Sequence, residues 1–333
     1  QFSPNLVLLL PRSDTLDTMV GITKLAVVAL GIVASAAATS APVSGSRWVQ
    51  RRAPSSGVDA LKPVDAALLA RGGGVLPPPA LYTNAVDMGA KKAAKAPTET
   101  LLLGIISGCH IAFGGLLAIT IGGAMPGIKE QNPGLQKLVY GLFGLPFGLY
   151  MVLVSGGELF TGNTALVTAA VIEGKATIAD LLKNWSLSYA GNLIGSLVLA
   201  NLIVAAGLNS APENAAAIAI GKVAGGFFQT FLKGIVCNWM VCMAVWVATG
   251  ASSLTEKYLA MVLPVSAFVA FGAEHSIANM FLLPFGLFSG ASSSITWGDI
   301  ALKNILPVTL GNIVGGAVCQ AGLYSAVYGS LLK

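Results

Sequence analysis

From residue 100 to the C-terminus the chain is a succession of nearly charge-free apolar stretches long enough to enter a bilayer, which leaves few folds open to it. In hydrocarbon every backbone N–H and C=O must be satisfied by the protein itself, so such stretches become helices. Residues 100–124 form the first. The second is a pair, 138–157 and 159–172, broken at Glu158; residues 184–207 are the third, and 223–250, interrupted by Lys233, the fourth. The fifth is again a pair, 258–273 and 276–290, broken at Glu274 and His275, and 304–332 are the last. The reading is an all-α integral membrane protein with six transmembrane helices, of which helices 2 and 5 are broken.

The two breaks resemble each other. Gly156-Gly157-Glu158-Leu159-Phe160-Thr161-Gly162-Asn163 matches Gly272-Ala273-Glu274-His275-Ser276-Ile277-Ala278-Asn279 at Gly, Glu and the closing Asn. The next spans match as well: Lys183-Asn184 and Gly191-Asn192-Leu193-Ile194-Gly195 correspond to Lys303-Asn304 and Gly311-Asn312-Ile313-Val314-Gly315 at identical spacing. The chain therefore reads as two copies of a three-helix unit. Three is odd, so consecutive copies face opposite ways, and corresponding broken helices are expected to meet near the midplane around a substrate site. Lysines in the loops favour both termini inside, with Lys91, Lys92, Lys95, Lys175, Lys183, Lys257 and Lys333 against Lys129, Lys137, Lys222 and Lys303.

Composition agrees with lipid as the solvent: 55% of residues are hydrophobic and 10% charged, where soluble chains carry about a quarter. The net charge of +5 does not point to nucleic acid. Residues 1–98 hold ten Lys/Arg and five Asp/Glu, and residues 99–333 hold nine of each, so the membrane body is neutral and no basic stripe exists. Cys109, Cys237, Cys242 and Cys319 lie in apolar runs without a metal-ligand pattern, and no metal or cofactor is expected.

Residues 1–95 read as a leader, leaving 96–333 as the six-helix transmembrane domain. From Met19 the pattern is that of a signal peptide, with Lys24, an apolar core at 25–33 and small residues at 34–41. The stretch 39–95 is basic, poor in acids and rich in Ser, Ala, Gly and Pro, like a transit peptide. A bipartite presequence of this kind resembles those of algae with secondary plastids and predicts a plastid inner envelope membrane, the plasma membrane being the alternative.

His275 lies beside Glu274 within an apolar span, where an ionisable group is expensive to keep and marks function. Imidazole can donate a hydrogen bond, carry a positive charge or pass a proton near neutral pH, which suits a small anion crossing a low-dielectric barrier. Thr161, in the other break, offers a hydroxyl and a helix N-terminus, or caps that helix. Glu158 and Glu274 read as acceptors for loop N–H groups, with proton carriage as the alternative. Asn238 and Asn312 donate to an anion or tie helices together. Lys222 concentrates anions at a pore mouth or snorkels to the interface. His110 receives no role.

Four segments carry a family resemblance: Glu158-Leu159-Phe160-Thr161-Gly162-Asn163, the run from Cys237 to Trp246, Glu274-His275-Ser276-Ile277-Ala278-Asn279-Met280-Phe281, and Leu306-Pro307-Val308-Thr309-Leu310-Gly311-Asn312. In this order they resemble the signature segments of the formate/nitrite transporter family, over residues 97–331. The resemblance implies an aquaporin-like protomer with one pore, assembled as a homopentamer and passing a small monovalent anion such as nitrite or formate. It places His275 at the pore centre opposite Thr161, with Asn238 and Asn312 nearby, Leu149 and Phe268 in an apolar constriction and Lys222 in a vestibule. Leu145 stands where some members have Phe. The leader is absent from bacterial members and fits plastid-targeted algal nitrite carriers.

Other classes fit less well. An aquaporin-like channel for neutral solutes is disfavoured by the absence of Asn-Pro-Ala at the half-helix junctions. An intramembrane enzyme lacks a nucleophile elbow, a second metal-ligating His and a triad by motif.

Overall fold

A computed structural model describes residues 76–333, and the described residues are helices and the loops that join them. The signal-like and most of the transit-like sequence falls outside them. The first element is α1 (Pro78–Ala93), opened by prolines that need no hydrogen-bond partner and closed by Lys91 and Lys92 at the negative end of the helix dipole. Tyr82, Ala85, Val86, Gly89 and Ala93 fall on one face and are buried. Gly89 has to be glycine, because a Cβ there would lie 1.9 Å from the Leu166 carbonyl oxygen. A division at residue 95 leaves this helix with the leader, whereas it packs on the membrane body. Its small residues and prolines are what make it look like transit sequence.

Six helical segments are long and apolar enough to span: α2 (Pro97–Gly123), Pro133–Ser155, α6 (Ile178–Ala205), α8 (Phe227–Ala248), α9 (Leu254–Phe271) and α11 (Trp297–Tyr328). The second consists of α3 (Pro133–Leu142) and α4 (Leu145–Ser155), and two 13-residue helices, α5 (Phe160–Ile172) and α10 (Ser276–Phe288), complete the broken passes. Between α6 and α8 runs α7 (Pro212–Val223). Helix α6 begins six residues before the charge-free stretch, because Thr177 and Asp180 form a capping box and Lys183 pairs with Asp180 at 3.2 Å. Charges that end a hydropathy count here begin a helix. The last span likewise starts earlier, behind a Thr296–Asp299 capping box.

Both breaks are made the same way. Helix α4 ends at Gly156 with φ 74° and α9 at Gly272 with φ 72°, left-handed conformations that only glycine adopts without strain. The flanking helices pack closely enough to hold the breaks in place. Cβ atoms at Gly108 and Gly195 would lie 2.2 and 2.0 Å from carbonyl oxygens of the facing helix, and at Gly311 and Gly315 they would lie 2.2 and 2.5 Å from theirs. The repeat legible in the sequence thus recurs as a repeat of contacts, α2 with α6 and α8 with α11.

Candidate transport pathway

Each break is tied down by a matching set of polar side chains. Asn192 donates to the carbonyls of Gly104 (2.8 Å) and Glu158 (2.9 Å) and accepts from Phe160 N–H (3.0 Å). Asn312 donates to the carbonyls of Gly234 (2.8 Å) and Glu274 (3.0 Å) and accepts from Ser276 N–H (2.9 Å). Both asparagines use their whole side chain on backbone that the breaks release. The carboxylates form the second half of the pattern. Glu158, fully buried, accepts from Lys92 (3.0 Å), Asn163 (2.7 Å) and Asn184 (3.1 Å). Glu274 accepts from Lys222 (2.9 Å), Asn279 (2.6 Å) and Asn304 (3.4 Å). The two carboxylates hold the breaks together and are paired with cations. Lys222 spends its ammonium on Glu274 rather than standing free, and its equivalent, Lys92, sits at the end of α1, within the stretch that reads as leader.

At the centre, His275 caps α10: its Nδ1 accepts from Ala278 N–H at 3.0 Å. The ring hydrogen of the neutral imidazole therefore sits on Nε2, which lies 3.0 Å from Thr161 Oγ1, so Nε2–H donates to the hydroxyl. The ring stacks on Phe268, centroids 5.9 Å apart and planes at 18°. Thr161 makes no cap of its own on α5, whose N-cap is Leu159. Its carbonyl accepts from Thr164 Oγ1 (2.6 Å), Asn238 (3.2 Å) and Cys242 (3.2 Å), which fixes its place opposite the imidazole.

Three cavities meet in series at this point. A first vestibule of about 390 Å³ is lined by Lys129, Tyr140, Asn214, Lys222 and Glu274 and reaches Leu145, Phe268 and His275. Those three residues also line a central chamber of about 10 Å³, a volume at the limit of one water molecule. Leu149 and Leu159 close the chamber on its far side and open onto a second vestibule of about 240 Å³, lined by Lys91, Lys92, Lys95 and Glu158. The structure brings His275, Phe268, Leu149, Lys222, Glu158 and Glu274 onto one path. Thr161, Asn238 and Asn312 lie behind it and line none of the three cavities: Thr161 orients the histidine, and the asparagines tie helices. Leu159 escaped sequence reading although it occupies the position equivalent to His275.

Comparison with known proteins gives the lineage. The family model for formate/nitrite transporters matches residues 79–326. The chain belongs to the formate/nitrite transporter family. A probable formate transporter of Methanothermobacter thermautotrophicus is 39% identical, over 75% of this chain and 96% of that protein. The formate channel FocA of Escherichia coli strain K12 is 36% identical, over 76% and 95%. Among solved structures, an FNT family ion channel aligns with a TM-score of 0.67 at 30% identity over 74% of this chain and 98% of its own. A pentameric formate channel with formate bound aligns at 0.61 and 32% identity, over 71% and 98%. These relatives are channels and transporters, not enzymes, and this family member is a multi-pass transporter of small anions.

Proposed function

We propose that this family member passes nitrite and formate through the chamber at His275, as a homopentamer in which each protomer holds its own pore, and that a proton accompanies the anion. The observation that carries this reading is the series of cavities meeting at one buried imidazole between two apolar constrictions. An anion entering a chamber of this size sheds most of its water. The effective penalty for a buried ion is several kcal/mol, whereas the N-termini of α5 and α10 contribute at most about 2 kcal/mol each. Protonating a carboxylate with a pKa near 4 costs about 4 kcal/mol at pH 7 and removes the charge altogether. The neutral acid is the cheaper species to move past Leu149 and Leu159.

His275 is the group placed to make the exchange. It takes up a proton arriving with the anion, becomes imidazolium, and hands that proton to an anion oxygen, so that neutral acid leaves and neutral imidazole remains. Because Ala278 N–H occupies Nδ1 at 3.0 Å, the cation loses a hydrogen bond and faces the positive end of α10. A transient proton carrier suits this geometry better than a standing positive charge. Proteoliposomes containing the protein are expected to take up nitrite and formate and to exclude glycerol. Glycerol flux equal to nitrite flux would replace this reading with a neutral-solute channel.

The presequence pattern supports residence in the plastid inner envelope. A full-length fluorescent fusion in an alga with secondary plastids is expected at the plastid rim. Retention at the plasma membrane with the leader intact would assign the protein to uptake at the cell surface instead.

A further inference from the structure

Lys233 lies six residues into α8, about 9 Å along the helix axis. Its side chain faces out of the protomer among the exposed Leu232, Val236 and Trp239. The depth is fixed from inside, since its carbonyl oxygen accepts from Glu274 N–H at 3.3 Å, level with the break beside His275. No ion pair involves Lys233 among the described residues. Both carboxylates at the level of the breaks are committed, Glu158 to Lys92 and Glu274 to Lys222; of the other acids of the described residues, Asp87 within α1 pairs with Lys175 and the rest sit near helix ends or in connecting segments. Among its described residues a neighbouring copy therefore has no unpaired acid to offer at this depth. Charged groups within a membrane face a bundle interior or a water-filled cavity. One turn nearer the mouth, exposed Gln229 continues the polar stripe, and Val236 ends it on the other side.

We propose that this face of α8 is turned toward other copies of the chain and not toward lipid, and that the copies enclose a water-filled recess ringed by Lys233 and floored by Val236. The recess opens on the side of the vestibule that holds Lys222. The proposal rests on the pentamer put forward above, and a second copy is the occupant it commits to.

The test is Lys233→Cys in the full chain, labelled with a membrane-impermeant charged thiol reagent after native mass spectrometry has established the oligomer. The expected result is an intact pentamer in which the introduced thiol reacts at least tenfold faster than the four native cysteines of the wild type. Reaction at the wild-type level in an intact pentamer would overturn the recess and leave Lys233 as a lipid-facing lysine that snorkels. Should Lys233→Cys fail to assemble, Gln229→Cys reports on the same stripe with the same two outcomes. A monomeric wild type would overturn the pentamer and the recess together, whereas wild-type-level reaction in an intact pentamer overturns the recess alone.

Discussion

At the scale of single residues, the proposed mechanism turns on the pair His275 and Thr161. Nδ1 is engaged by the backbone of α10 and Nε2–H by a threonine hydroxyl, so the imidazole has one tautomer and one orientation in its resting state. Thr161→Val keeps the shape of the side chain and removes the acceptor. Leaving a buried donor without a partner costs about 1–3 kcal/mol. Nitrite flux is therefore expected to fall roughly five- to a hundredfold while expression and oligomer size stay those of the wild type. Unchanged flux in a folded Thr161→Val protein would show that the hydroxyl has no part in orienting His275. His275 was legible in the sequence because an ionisable residue within an apolar run has few bland explanations. Leu159 was not, since an apolar residue lining a pore has the same composition signal as one facing lipid, and Leu145, Leu149 and Phe268 were legible only through the family resemblance.

Each break, at the scale of elements, is a helix end, a buried carboxylate and the cation that neutralises it. Glu158 has no exposure at all, and removing its cation leaves a buried charge unpaired, which costs about 3–5 kcal/mol. Lys92→Met is expected to reduce the yield of folded protein severalfold in detergent, and the double variant Lys92→Met with Glu158→Gln is expected to recover most of it. If Lys92→Met is as stable as the wild type in a detergent melt, α1 is not part of the structural frame. The sequence offered this pair, though only by carrying the repeat further back: Lys92, Glu158, Asn163 and Asn184 correspond to Lys222, Glu274, Asn279 and Asn304. Composition worked against it, because α1 is rich in Ala, Pro and Lys and reads as leader. Hydropathy also misplaced the starts of α6 and α11, where capping acids fall inside the helices rather than before them. The span count and the two breaks, by contrast, follow directly from long apolar runs and paired glycines.

For the whole molecule, a pseudo-repeated frame supports a path that is not itself symmetric. Lys–Glu–Asn networks recur in both halves, yet His275 stands on one side of the chamber and Leu159 at the equivalent place on the other. This asymmetry puts one titratable group, His275, in an otherwise apolar chamber. The direct measurement is nitrite uptake into proteoliposomes as a function of external pH, wild type against His275→Asn, each shown by size-exclusion chromatography to be correctly assembled. If protonation of the anion at His275 carries it across, wild-type uptake rises as external pH falls, and His275→Asn loses that dependence and becomes either leaky to anions or inactive. A correctly assembled His275→Asn protein with wild-type flux and an unchanged pH profile would contradict the mechanism and leave the histidine as a helix cap.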